Sequence, residues 1–149
     1  MKIHADTVIV GTGVAGLFAA LSLPRNLNIV MITKADLESS DSFLAQGGIC
    51  VLRDEEDYDS YFEDTMRAGH YENRRESVDI MIRGSRQIIR ELVGYGVEFA
   101  KDSNGGFAYT REGAHSRPRI LFHEDITGKE ITSHLLDQVR KLENVTLYE

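Results

Sequence analysis

The chain has 149 residues, 28% of them charged and 42% hydrophobic, which suits a globular domain with a real core. Its 24 acidic and 17 basic side chains give a net charge of −7, which excludes the concentrated basic surface of a nucleic-acid binder. The one cysteine, Cys50, excludes an intrachain disulfide and leans toward a reducing, cytoplasmic setting, where a buried and inert thiol is the plain reading.

Residues 7–23 are apolar enough to imitate a signal peptide. Asp6 stands just before them, Gly11, Gly13 and Gly16 interrupt them, and the run is short for a bilayer. No other stretch is long and apolar enough to cross a membrane. Residues 8–10 (VIV) instead predict a strand buried on both faces, residues 15–23 a helix stopped by Pro24, and residues 28–33 (NIVMIT) a second strand. Strand, glycine turn, helix and strand make a βαβ unit with a right-handed crossover. Residues 34–48 have no period and read as a long loop.

Residues 49–52 predict a short strand. The acidic run 54–59 predicts the start of a helix reaching about residue 68, since negative charge opposes the helix dipole. Val78, Met81, Ile82, Ser85, Ile88, Ile89, Leu92 and Val93 recur at three- and four-residue spacing and predict an amphipathic helix, which Gly94 and Gly96 end. Residues 97–100 and 107–110 flank a Gly-Gly turn and predict a β-hairpin. Thr127 is placed to cap a helix over residues 128–142, and residues 145–148 begin a further strand. The expected fold is α/β: a Rossmann-like nucleotide-binding domain with a parallel sheet, a hairpin and a helical insertion. With no closing helix after residue 148, the architecture reads as the N-terminal portion of such a domain.

Gly11-Thr12-Gly13-Val14-Ala15-Gly16 is a GxGxxG in the context the motif requires, after a strand and opening a helix. Gly11 permits the turn, Gly13 lets the backbone approach a pyrophosphate, and Gly16 lets helix and strand pack closely. Helix N-terminal amides then face the phosphates. The second strand ends in Thr33 and Lys34, not in the acidic residue that accepts from a ribose in an NAD site. That disfavours NAD; Thr33 can still bond a ribose, and Lys34 adds positive charge beside it.

The glycine turn, Thr33-Lys34 and Asp41-Ser42-Phe43-Leu44-Ala45-Gln46-Gly47-Gly48 together resemble the fumarate reductase and succinate dehydrogenase flavoprotein superfamily. Ala45 to Gly48, Thr110 to Ser116 with Arg119-Ile120 and His123, Glu63-Asp64-Thr65, and Asp125 to Gly128 resemble its L-aspartate oxidase branch. The resemblance spans essentially the whole chain. It implies that Thr33-Lys34 contacts the adenosine half of FAD and that the loop through Gly48 wraps flavin and pyrophosphate. Asp41 stands where many members link FAD to a histidine, so noncovalent FAD is expected. Aspartate oxidases often have serine there, and Ala114 replaces a usual glycine, a small change expected to be tolerated.

The resemblance also implies that Glu112 orients L-aspartate through its α-ammonium group and that O2 or fumarate reoxidises the flavin. The product, iminoaspartate, would feed NAD biosynthesis through quinolinate and quinolinate synthase. His115, with Arg111, Arg117 and Arg119, forms a basic cluster suited to a dicarboxylate or a phosphate, or simply to ordering the loop. The family's catalytic arginine lies downstream, in a capping domain and distal half, so no catalytic residue is assigned here and the chain alone is expected to be inactive and to self-associate. No histidine pair has metal-ligand spacing, and no GxSxG supports a hydrolase reading of Ser42. Competing readings are a fumarate reductase or succinate dehydrogenase relative and a non-catalytic nucleotide-binding module.

Overall fold

The computed structural model describes residues 2–149. In chain order it contains β1 (Thr7–Val10), α1 (Val14–Ser22), β2 (Ile29–Ile32), α2 (Asp41–Leu44), β3 (Ile49–Cys50), a 3-10 turn (Glu55–Asp57), α3 (Tyr58–Ala68), α4 (Arg75–Gly94), β4 (Ile120–Leu121), α5 (Thr127–Val139) and β5 (Val145–Tyr148). They fall into two compact units.

The first unit takes the chain up to Gln46, Tyr95–Val97 and Gly128–Glu149. Its sheet is parallel in the order β1-β2-β5, with Thr7 beside Ile29 and Ile29 beside Val145. The apolar β-branched run of β2 makes it the central strand: Ile29, Val30 and Met31 are buried, whereas β1, expected to be buried on both faces, lies at the sheet edge and leaves Val8 and Val10 exposed. α1 is the crossover between β1 and β2 and buries Leu17, Ala20 and Leu21. Its end comes where the sequence places it, at Leu23 before Pro24, and the Arg25 guanidinium donates to the Leu21 carbonyl at 3.1 Å. α5 buries Ile131, Leu135, Leu136 and Val139 at helical spacing. The Thr127 hydroxyl accepts from the backbone N–H of His123 at 2.9 Å, tying the start of α5 to the preceding loop.

The second unit takes Gly47–Gly94 and Glu98–Thr127. Leu52, Tyr61, Met66, Val78 and Ile82 form its apolar cluster, with Cys50, Tyr58 and Phe62 packed against it. Asp54 caps the 3-10 turn by accepting from the Asp57 N–H at 2.9 Å, so the acidic run does start the helical segment. The expected hairpin is reduced to a bridge between Lys101 and Phe107. A partner strand the periodicity did not reveal, β4, pairs antiparallel with β3, and Thr110 bridges to Ile120.

Candidate functional site

The loop read as structureless before Gly48 contains a helical turn. Ser40 caps α2 by accepting from the Phe43 N–H at 3.2 Å, and Ser42 then accepts from the Val14 N–H at the start of α1, also at 3.2 Å. The turn is held on its other side by Gly128, whose N–H donates to the Ala45 carbonyl at 2.9 Å. A side chain at Gly128 would stand 2.0 Å from the Ser42 carbonyl oxygen. The glycine of the Asp125 to Gly128 motif is thus needed for contact with this turn, a role spacing alone did not reveal.

In the first unit a cavity of about 250 Å³ is lined by Gly11, Thr12, Gly13, Thr33, Lys34, Ser39, Ser40 and Asp41, beside Val10 and Ile32. Six of these are residues expected from the sequence; Ser39 and Ser40 were seen only as loop. Val14, Ala15 and Gly16 run on into α1, while Ser42, Phe43, Leu44, Ala45 and Gln46 form or follow α2 and do not line the cavity. Leu44 is largely exposed and the Phe43 ring lies under the Lys129 ammonium at 5.7 Å.

The cavity fits a dinucleotide pyrophosphate. Gly11 has φ 103°, open to glycine and strained for other residues. A Cβ on Gly16 would meet the Gly11 carbonyl oxygen at 2.2 Å and Ile9 at 3.2 Å, so close helix-strand approach does require glycine. Gly13 is the N-cap of α1 and brings no side-chain acceptor to its amides, and no acidic residue sits in the first turn. The Thr12 hydroxyl is buried without a hydrogen-bond partner, a cost relieved by an acceptor such as a phosphate oxygen.

The second unit holds the rest of the expected site. Gly47 is overhung by the Glu112 carboxylate, which would stand 3.3 Å from a Cβ there. Gly48 is glycine for a separate reason: a Cβ would meet Ile120 and the Leu121 carbonyl at 2.3 Å, blocking the β3–β4 pairing. Ala114, expected to be a harmless replacement, has φ 69°, a conformation that costs a non-glycine residue about 1 kcal/mol or more.

The basic cluster resolves into separate roles. Arg119 is wholly buried and bonds Asp57 through Nε and Nη2 (3.0 and 2.8 Å), Asp64 through Nη1 (2.7 Å) and the Ser60 hydroxyl (2.9 Å). Ser116 donates to Asp64 through both its N–H (2.7 Å) and its hydroxyl (2.6 Å), pinning the loop to α3. Burial raises both carboxyl pKa values, but these hydrogen bonds outweigh it; Asp57 stays below its usual range and Asp64 falls to about 2. Burial works against the Arg119 charge as well, and its two carboxylates more than restore it. Arg117 is a half-exposed, longer-range neighbour of Asp57 at 3.9 Å. His115 sits between Arg119 and Cys50, and burial followed by the Arg119 charge lowers its pKa. Burial pushes the Cys50 thiol up. His123 donates Nδ1–H to the Glu98 carbonyl at 2.7 Å, an ordering contact. Among the described residues no cluster of His, Cys, Asp and Glu could hold a metal ion, and no helix is long and apolar enough to cross a membrane.

Comparison with known proteins agrees with this geometry. L-aspartate oxidase of Clostridium perfringens is 46% identical over 149 residues, and that of Clostridium acetobutylicum 42%. Both alignments cover 100% of the chain, which spans only 34% of either relative's length. Among solved structures, the FrdA chain of E. coli quinol fumarate reductase superposes with a TM-score of 0.92 at 25% identity, covering 99% of this chain and 26% of that one. Mycobacterium smegmatis Sdh1 in complex with UQ1 gives 0.87 at 25% identity, covering 99% and 28%. The family described as FAD binding domain matches residues 6–149. With its glycine turn, its unpartnered Thr12 hydroxyl and that match, the chain belongs to the FAD-binding domain family, and FAD is its cofactor.

Proposed function

We propose that the native protein containing this chain is an L-aspartate oxidase, and that this chain is the N-terminal portion of its FAD-binding domain. It would oxidise L-aspartate to iminoaspartate and pass the electrons to O2 or fumarate. The observation that carries the reading is the Glu112 carboxylate poised over Gly47, in a turn whose family role is to wrap the flavin. An amino dicarboxylate differs from a dicarboxylate by one positive charge, so an anion here favours the amino form and opposes succinate or fumarate.

FAD, held noncovalently since Asp41 cannot form a histidyl link, supplies a two-electron acceptor when bound. The chain's own residues bind and orient. The first turn of α1 with Thr12 holds the pyrophosphate, Thr33 and Lys34 hold the adenosine side, and Ser42 fixes α1 against its loop. Glu112 attracts the substrate ammonium, and His115 faces the same unit's cavity. The general base and the remaining substrate ligands are assigned to the two thirds of the relatives' length that this chain does not span. A cytoplasmic enzyme whose product passes toward quinolinate synthase follows from the same reading. Self-association of the isolated chain follows from the β1 edge, where Val8 and Val10 are 58% and 79% exposed.

Fumarate reductase or succinate dehydrogenase chemistry is the second reading, favoured by the TM-score of 0.92. One substitution separates the two. Glu112→Gln in the native protein should lower kcat/KM for L-aspartate about 50-fold, the loss of one charge-assisted contact, and leave fumarate reduction within about threefold. Equal losses on both substrates would remove Glu112 from substrate selection.

A further inference from the structure

A second cavity, about 470 Å³ and mostly apolar, lies within the second unit, with Gly48, Cys50, Tyr61, Ala114 and His115 among its lining. Both ring nitrogens of His115 are engaged there. Nδ1 lies 3.0 Å from Arg119 Nη1, and Nε2 lies 3.2 Å from Cys50 Sγ. A guanidinium has donors and no acceptor, so the nitrogen facing it has to be the bare one. The proton of the neutral ring therefore sits on Nε2. Arg119 is itself buried and tied to Asp57, Asp64 and Ser60.

We infer that Arg119 is a positioning residue that locks His115 in the Nε2–H tautomer, so that His115 presents a hydrogen-bond donor, not a base, to a carboxylate oxygen of a ligand in this cavity. The identity of that ligand as a dicarboxylate rests on the proposed function; the tautomer does not. Cys50 Sγ receives the N–H in the structure, and it is a weak acceptor that a carboxylate oxygen outcompetes. The lowered His115 pKa agrees, because burial and then the adjacent Arg119 charge both oppose a second proton on the ring. His115 then has no lone pair facing the cavity and takes no proton from a substrate.

The test is a multiple-bond 15N–1H spectrum of the native protein labelled in histidine, with the His115 signals identified by their loss in His115→Gln. A protonated Nε2 and a bare Nδ1 are expected; a proton on Nδ1 overturns the inference. Cys50→Ala should leave the tautomer unchanged, whereas a switch would make the thiol, not Arg119, its cause. Kinetically, His115→Leu should lose about a hundredfold in kcat/KM for L-aspartate, mostly through KM. His115→Gln, whose amide restores a donor, should recover about tenfold of that loss, and no recovery overturns the donor role. An Nε2–H ring in a protein that does not turn over aspartate counts against the proposed function alone. An Nδ1–H ring in one that does counts against the tautomer alone.

Discussion

A guanidinium with no solvent exposure persists only where its donors are all taken, and Arg119 meets that condition with two carboxylates drawn from one helical segment. Because Asp57 and Asp64 have depressed pKa values in the fold, they bind protons more readily when unfolded. Their stabilisation is complete above the unfolded carboxylate value near 4 and is lost as pH falls through their lowered folded values, about 2 for Asp64. Chemical denaturation at pH 6 and pH 3 should therefore give a lower midpoint at pH 3, with Asp64 contributing about 1 kcal/mol to the difference. Asp64→Asn should shrink that difference; an undiminished pH response would place the acid sensitivity elsewhere. Arg119 was legible in the sequence as part of a basic cluster, but the sequence left open whether it met a ligand or ordered the loop. Its partners lie 55 and 62 residues away, and no local period encodes a pairing across that distance. The structure assigns Arg119 to ordering.

At the scale of elements, the glycine turn was legible almost in full because each glycine answers a local steric demand. Gly16 meets backbone at 2.2 Å, whereas a methyl group on Gly13 would meet the side chain of Ser42, its hydroxyl at 3.1 Å. Gly16→Ala in the native protein should thus lower the unfolding midpoint, by about 1–3 kcal/mol of overpacking, and weaken FAD binding with it. Gly13→Ala should leave stability nearly unchanged and weaken FAD binding alone. Differential scanning and flavin-fluorescence titration of both variants check this, and a Gly13→Ala protein as unstable as Gly16→Ala would refute the division of labour. α1, α4 and the parallel strands were readable for the same reason: their apolar periods are long enough to register. β4 and α2 were not. β4 is two residues long and is defined by its pairing with β3, and α2 is a single turn fixed by the Ser40 cap and the contact at Gly128. The hairpin expected around Gly105 and Gly106 shrank because Phe107 to Thr110 divides its bonds between Ala100 and Ile120.

The whole molecule consists of two units, each carrying one part of the expected cofactor and substrate contacts. The first offers a pyrophosphate cradle with an unsatisfied Thr12 hydroxyl; the second offers the Gly47–Glu112 contact and the His115 cavity. The family was legible from ordered motifs spread over the chain, while the catalytic base was not, since the chain spans about a third of its relatives. The central proposal is that the native protein containing this chain selects an amino dicarboxylate for oxidation by FAD. The most direct measurement is anaerobic mixing of the native protein, loaded with FAD, with L-aspartate or succinate while following the visible flavin absorbance. Bleaching by L-aspartate with none by succinate is the predicted result. Bleaching by succinate with none by L-aspartate would contradict it and make the protein a dicarboxylate dehydrogenase or reductase.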